Sequence, residues 1–94
     1  NNNRERKLSN NKYIGVDGIE RSKQEDIRIS MDIQSLFKTP NGQSVLKYLR
    51  KLTIEYVNGP NISDSALRHH EGQRYLYAII ERRINHAEKE SSNV

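Results

Sequence analysis

The sequence Leu-Phe-Lys-Thr-Pro-Asn-Gly-Gln-Ser-Val-Leu, residues 36–46, indicates where one helix ends and the next begins. Thr39 is a favourable N-cap residue, because its hydroxyl can accept a hydrogen bond from an unpaired amide of the first turn. Pro40 suits the first helical position, where its missing N–H is no loss. This stretch predicts a helix that begins at about Pro40 and ends at about Tyr56.

Two helices joined by a turn account for residues 40–89. The first has apolar residues at helical spacing, namely Val45, Leu46, Leu49, Leu52 and Tyr56. The turn chemistry of Asn58–Asn61 ends it. Ser63 or Asp64 can cap the last helix, which we extend to about Lys89. The apolar stripe of that helix consists of Leu67, Leu76, Ile79, Ile80, Ile84 and Ala87, and we expect Arg82 and Arg83 to point away from most of it.

Residues 22–33 carry two conflicting patterns. Ser22 and Glu25 fit a capping box at the start of a helix. In contrast, the apolar residues Ile27, Ile29, Met31 and Ile33 alternate with polar ones, which is the strand period. We expect an extended segment here, followed by a short helix that Ser30 caps.

The first part of the chain predicts an extended, basic arm. Residues 1–12 hold one apolar side chain, and residues 1–24 hold six Lys or Arg against three acids. Asp17-Gly18 is a preferred centre for a tight hairpin turn. A lone hairpin needs support from its own helices or from a neighbour, and we favour the neighbour. The predicted docking residues are Arg4, Arg6, Lys7, Tyr13, Ile14, Val16 and Ile19.

The predicted fold is therefore mainly α, an antiparallel pair of long helices with a short preceding helix and an extended N-terminal arm. Residues 1–29 form the arm, 30–90 the helical domain and 91–94 a polar tail. The predicted helix-pairing residues are Phe37, Gly42, Leu46, Leu49, Gly72, Leu76 and Ile79. The two glycines interrupt helical patterns on the apolar side, where they would let a helix approach another helix or a partner closely.

The composition predicts a thin core that needs a partner. Only 33% of the 94 residues are apolar, 30% are charged, and the net charge is +4. Chains this short are marginal when apolar content is low. The absence of Cys excludes disulfides and Cys-based metal sites, which leaves association as the expected supplement. The chain begins at Asn1 rather than Met, which leaves open that residues precede it.

No residue pattern supports catalysis, a metal or a cofactor. His69 and His70 are adjacent, so on a helix they point about 100° apart and cannot share a metal ion. The serines show no nucleophile elbow, and the glycines form no phosphate-binding loop. No run approaches the roughly 18–20 apolar residues of a membrane span. We expect no enzyme activity, no cofactor, no small-molecule substrate and no membrane partner.

Residues 36–84 resemble a small domain of virion proteins from tailed bacteriophages, first described from a short-tailed Bordetella phage. The resemblance rests on residues 36–46 and, after a loop, on Glu-Gly-Gln-Arg at 71–74 followed by an aliphatic helix. It covers about half of the chain and implies a virion structural component without enzymatic activity.

The resemblance does not specify a position in the particle. We expect assembly near the portal and tail connector or inside the virion, after synthesis in the host cytoplasm, and a decoration role on the capsid stays open as a less favoured alternative. The implied partners are portal, tail or internal proteins and copies of the chain in a ring. The alternative is a small basic accessory protein that contacts nucleic acid without sequence specificity. That reading rests on two basic groups, Arg4, Arg6, Lys7 and Lys12 near the start, and Arg82, Arg83 and Lys89 near the end. Such phosphate contacts would weaken steeply with salt.

Overall fold

The computed structural model describes residues 12–92, which form a short strand pair followed by helices. The elements are β1 (Tyr13–Ile14), β2 (Glu20–Arg21), α1 (Lys23–Phe37), α2 (Pro40–Thr53) and α3 (Asp64–Ser92). The mainly helical fold class is confirmed.

The first helix is longer than predicted. α1 has 15 residues, and its N-cap is Ser22, whose hydroxyl accepts a hydrogen bond from the amide of Glu25. The expected extended segment before Ser30, and the short helix capped by that residue, are therefore wrong. The N-cap decided the local structure because the Ser22 hydroxyl pairs with an amide that has no partner within the helix.

The second helix begins as predicted and ends earlier. The Thr39 hydroxyl accepts a hydrogen bond of 2.9 Å from the amide of Gly42, and Pro40 occupies the first turn. α2 ends at Thr53 rather than at Tyr56. Its last carbonyl groups are bound from α3: His70 Nε2 donates to the Thr53 carbonyl over 2.9 Å, and Arg74 lies 3.4 Å from the same oxygen. These side chains cap the helix where the apolar pattern alone predicted another turn.

The strand pair is antiparallel, with Tyr13 opposite Arg21 and Ile14 opposite Glu20. Residues 15–19 connect the strands: the Gly15 amide donates to the Ile19 carbonyl, the Gly18 amide donates to the Gly15 carbonyl, and Gly18 has a φ of 85°. Asp17 and Gly18 therefore lie within this connection and are not the centre of a two-residue turn. Glycine suits the position because a positive φ is unfavourable for other residues.

The longest helix packs mainly against α1. Side chains that meet across this interface follow the same order along both helices: Ser30 contacts His86, and Met31 contacts Ser91. α2 meets α3 in the opposite order, since Arg50 bonds Glu81 while Thr53 bonds His70. The last helix, α3, therefore packs mainly against α1, which is the helix that we expected to be short.

The molecule is a thin slab with Cα extents of 58 × 35 × 15 Å. A helix with its side chains is about 10–12 Å across, so three helices in this thickness enclose little interior. Among the described residues, Phe37, Tyr77 and Ala87 are the buried apolar side chains, whereas Asp26, Ser30, Thr53, His70 and Arg83 are buried and polar. The helices therefore enclose a thin core, as the composition predicts.

Candidate protein-binding surface

Four charged side chains fasten the hairpin to the helices. This charge cluster consists of Asp17 and Arg21 from the hairpin, Asp26 from α1 and Arg83 from α3. Arg21 donates to both aspartates. Arg83 does the same, at 2.9 Å to Asp26 and 3.2 Å to Asp17. Each charge therefore has two partners of opposite sign, which offsets the cost of burying it.

The arginines lower the pKa of both aspartates. A hydrogen bond from Arg21 holds the pKa of Asp17 far below its usual range. Burial alone would raise the pKa of Asp26, but hydrogen bonds from Arg21 and Arg83 outweigh burial and lower it. Both carboxylates are thus ionised over the whole neutral and mildly acidic range.

The position predicted for Arg83 was wrong. Its side chain is 2% exposed and reaches from α3 to Asp26 and Ser30 on α1. Arg83 is four residues after Ile79 and four before Ala87, so its helical spacing puts it within the apolar stripe. That spacing was the signal that could have identified it. On α1, Asp26 and Ser30 are likewise four residues apart and face α3 together.

Ser30, His86 and Glu90 come together in an arrangement that resembles a catalytic triad. The Ser30 hydroxyl lies 2.8 Å from His86 Nδ1, and His86 Nε2 lies 3.6 Å from Glu90. However, Ser30 is fully buried and its hydroxyl also accepts a hydrogen bond from Arg83. A nucleophile must reach its substrate, so this contact fastens α1 to α3 and is not a reactive site.

The predicted helix-pairing residues divide by burial. Phe37 and Gly42 are buried, Leu46, Leu49 and Ile79 are half-buried, and Gly72 and Leu76 are exposed. The buried aromatic residue of this turn of α3 is Tyr77, next to Leu76, where it donates a hydrogen bond to Glu81. Burial raises the pKa of Tyr77.

The two predicted close-approach glycines lie in opposite environments. A Cβ on Gly42 would lie 2.6 Å from the Cα of Phe37, so the missing side chain lets α2 pack tightly on the end of α1. A Cβ on Gly72 would meet no atom within 4 Å. Among residues 12–92, Gly72 therefore permits no close approach of another helix, and its role at a partner stays a prediction.

An apolar groove runs between α2 and α3. This α2–α3 groove has a volume of about 320 Å³ and is lined by Leu49, Leu52, Thr53, Gln73, Leu76, Tyr77 and Ile80. Leu52 is 48% exposed and Leu76 is 60% exposed. Val45 on α2 and Tyr56 in the loop after it are also exposed. The stripe that we expected to bury itself against α3 thus lies largely in solvent.

The predicted docking arm is partly described. Tyr13 and Val16 are half-buried, whereas Ile14 and Ile19 are exposed. Arg4, Arg6 and Lys7 lie outside the described residues. The charge cluster joins the hairpin to its own helices, yet Ile14 and Ile19 remain available to a partner.

Residues 12–92 contain no group of three or more His, Cys, Asp or Glu side chains placed to hold a metal ion. No helix within them is both long enough and apolar enough to cross a membrane.

Comparison with known proteins identifies one family. The model of the Bbp19-like phage protein family matches residues 33–92. This range holds the last five residues of α1 and all of α2 and α3, and it includes the α2–α3 groove. Neither the curated proteins nor the solved structures gave a match.

Proposed function

The chain belongs to the Bbp19-like phage protein family, and from this premise we propose that it is a non-enzymatic structural component of a tailed-phage virion. It assembles through protein–protein contacts near the portal and tail connector or as an internal virion protein. Its partners are other virion proteins and copies of itself in a ring.

The observation that carries this proposal is the apolar surface that the folded chain leaves in water. Large apolar side chains are exposed along α2, in the loop after it and along the N-terminal half of α3, among them Val45, Tyr48, Leu52, Tyr56, Leu67, Tyr75 and Leu76. Scattered exposed apolar residues are ordinary, but a contiguous patch is typical of a protein interface.

A second support is the strand hairpin. The ion pairs of the charge cluster hold the hairpin against the helices. The exposed side chains of Ile14 and Ile19 therefore lie on a structured hairpin rather than on an unstructured segment. A preorganised apolar hairpin loses less entropy on docking than an unstructured segment does. In this proposal Ile14 and Ile19 anchor the chain on a neighbour, and Arg4, Arg6 and Lys7 contact an acidic part of it.

The experiment is co-expression of the chain with the portal, tail-connector and internal proteins of the same phage, followed by affinity capture and mass measurement. We expect a stable complex with at least one of them. The doubly substituted chain Ile14→Asp, Ile19→Asp should bind it at least tenfold more weakly. Val57→Asp is the control, because Val57 is 85% exposed and lies in the loop between α2 and α3.

The alternative function, nucleic-acid binding without sequence specificity, is tested in the same preparation by titration with random duplex DNA at increasing salt. Binding to DNA that falls by orders of magnitude between low and moderate salt, with no capture of a virion protein, would overturn the proposal. Capture that persists at moderate salt supports it, since apolar contacts are insensitive to screening.

A further inference from the structure

Two asparagines of the chain are followed by glycine: Asn41 precedes Gly42, and Asn58 precedes Gly59. The side-chain carbonyl carbon of an asparagine can be attacked by the backbone nitrogen of the next residue, which closes a five-membered succinimide ring. Glycine favours this attack, because it has no side chain in the way and the fewest restrictions on its backbone angles. The local structure around each Asn-Gly pair therefore decides which of them reacts.

The first turn of α2 holds Asn41 in an arrangement that opposes ring closure. Asn41 and Gly42 belong to the helix, so their backbone angles are fixed. The Gly42 amide donates a hydrogen bond of 2.9 Å to the Thr39 hydroxyl, and Gly42 is buried against the end of α1. Attack by this nitrogen would break the N-cap of α2 and displace the helix from α1.

The loop between α2 and α3 imposes none of these constraints on Asn58. Residues 56–59 lie outside the helices and the turns. The Gly59 amide takes part in none of the turn and loop backbone hydrogen bonds between described residues. Gly59 and Pro60 are exposed, and a Cβ on Gly59 would meet no described atom within 4 Å. The Gly59 nitrogen thus has room to approach the Asn58 side chain, and water has access to the product.

The related pair Asp17-Gly18 is held in place by the charge cluster. The Gly18 amide donates a hydrogen bond of 2.9 Å to the Gly15 carbonyl. The Asp17 carboxylate is bound by Arg21 and Arg83. Both partners of a ring closure are therefore engaged, which leaves Asn58-Gly59 as the exposed and unconstrained pair among residues 12–92.

We propose that Asn58 is a site of spontaneous deamidation in the folded protein. The Gly59 nitrogen loses its proton and bonds to the side-chain carbonyl carbon of Asn58, and the side-chain amide leaves as ammonia. One water molecule then adds to either carbonyl carbon of the succinimide and opens the ring. Opening at the backbone carbonyl gives isoaspartate, and opening at the side-chain carbonyl gives aspartate. Overall, one water is consumed and one ammonia is released.

The reaction changes both the charge and the length of the loop. A neutral amide becomes a carboxylate, so the formal net charge falls by one from +4. Isoaspartate also adds one carbon atom to the backbone between α2 and α3, close in sequence to the end of α2 that His70 and Arg74 cap. The inference goes beyond the proposed function and does not depend on it, because it needs only this loop of a single chain.

The test is incubation of the full, folded chain at mildly alkaline pH, followed by peptide mapping with mass spectrometry. Asn58 should acquire the mass change of NH replaced by O at least tenfold faster than Asn41. Asn61 is the internal control, because it is exposed in the same loop but precedes Ile62, whose branched side chain obstructs the attacking nitrogen. Water enriched in heavy oxygen should label the product, and chromatography should separate the aspartate and isoaspartate peptides.

A variant of the attacking residue tests the mechanism without disturbing the fold. Gly59 has no positive φ and open space at its Cβ position, so Gly59→Ala should keep the thermal midpoint of the wild type. Its methyl group should slow deamidation of Asn58 at least tenfold. Asn58→Gln is the matched control and should show no modification at this position over the same time, because its longer side chain would have to close a larger ring.

Unfolding the chain in guanidinium separates the effect of structure from that of sequence. Asn41 and Asn58 should then react at similar rates, because α2 no longer protects Asn41. A folded chain in which Asn58 reacts no faster than Asn41 would overturn the inference. The same would follow from a tenfold difference that persists after unfolding, or from Gly59→Ala reacting at the rate of the wild type.

Discussion

Arg83 on α3 and Asp26 on α1 lie 57 residues apart in the chain, and their side chains form an ion pair of 2.9 Å with exposures of 2% and 0%. Replacing one member of a buried pair leaves an uncompensated charge, which is far more costly than losing a surface pair. Since Arg83 also bonds Ser30 and Asp17, one side chain joins the hairpin, α1 and α3.

Removal of the Arg83 guanidinium should destabilise the fold severely. Arg83→Met keeps much of the side-chain volume but leaves Asp26 with one cationic partner instead of two. We expect a loss of roughly 3 kcal/mol or more in the free energy of unfolding, measured by urea denaturation. Arg82→Met, next to it on the exposed side of α3, is the control and should change stability by less than about 0.5 kcal/mol. Equal losses in the two variants would contradict the structural role of the cluster.

Stability should fall in acid because the charge cluster loses its carboxylates. The pKa values of Asp17 and Asp26 are lowered in the folded state, whereas an unfolded Asp titrates near about 3.9. Their contribution is therefore complete above about pH 5, declines as the pH falls below about 4, and is lost below the folded pKa values. Urea titrations from pH 7 to pH 2 should show this decline. Asp26→Asn should flatten the curve, while Asp32→Asn, which alters an exposed and unpaired carboxylate, should leave its slope unchanged.

The two helical glycines should respond oppositely to alanine. Gly72→Ala adds a methyl group in open space and removes the entropic cost of glycine, so it should stabilise the fold by about 0.5–1 kcal/mol. Gly42→Ala forces a methyl group against the backbone of α1 and should cost about 1–3 kcal/mol. Thermal midpoints of the two variants give the comparison directly. A destabilised Gly72→Ala would show that its surroundings are more crowded than the described contacts.

The start of α1 can be tested through its cap. Ser22→Ala removes the acceptor for the Glu25 amide and should cost about 1 kcal/mol. Ser35→Ala changes an exposed serine inside the same helix and should be neutral or slightly stabilising. If both variants had the same stability, the helix would not depend on Ser22, and the extended segment first predicted for residues 22–29 would regain support.

Local signals in the sequence predicted the helices better than the packing between them. The Thr39 cap and the Ser63 cap depend on neighbouring amides, and both are present, with the Ser63 hydroxyl accepting from the amide of Ala66. Such motifs are readable because they involve residues three positions apart. At Ser22 the same chemistry was visible, but the alternating isoleucines were given more weight than the cap.

The candidate surfaces could not be derived in the same way, because burial was inferred from hydrophobicity alone. Arg83, Asp26 and Ser30 are buried since they satisfy one another, and such pairing across more than fifty residues leaves no local pattern. Conversely, Leu52 and Leu76 carry an apolar pattern but stay exposed because the helices lie in one layer.

The order of synthesis has a consequence for the charge cluster. Asp17 and Asp26 leave the ribosome long before Arg83. Until Arg83 follows, these two carboxylates would be buried with Arg21 as their one cationic partner in the cluster. The native arrangement of the hairpin and α1 therefore waits for the synthesis of α3. Products that end before Arg83 should stay hydrated and open, which makes them prompt substrates for cellular proteases.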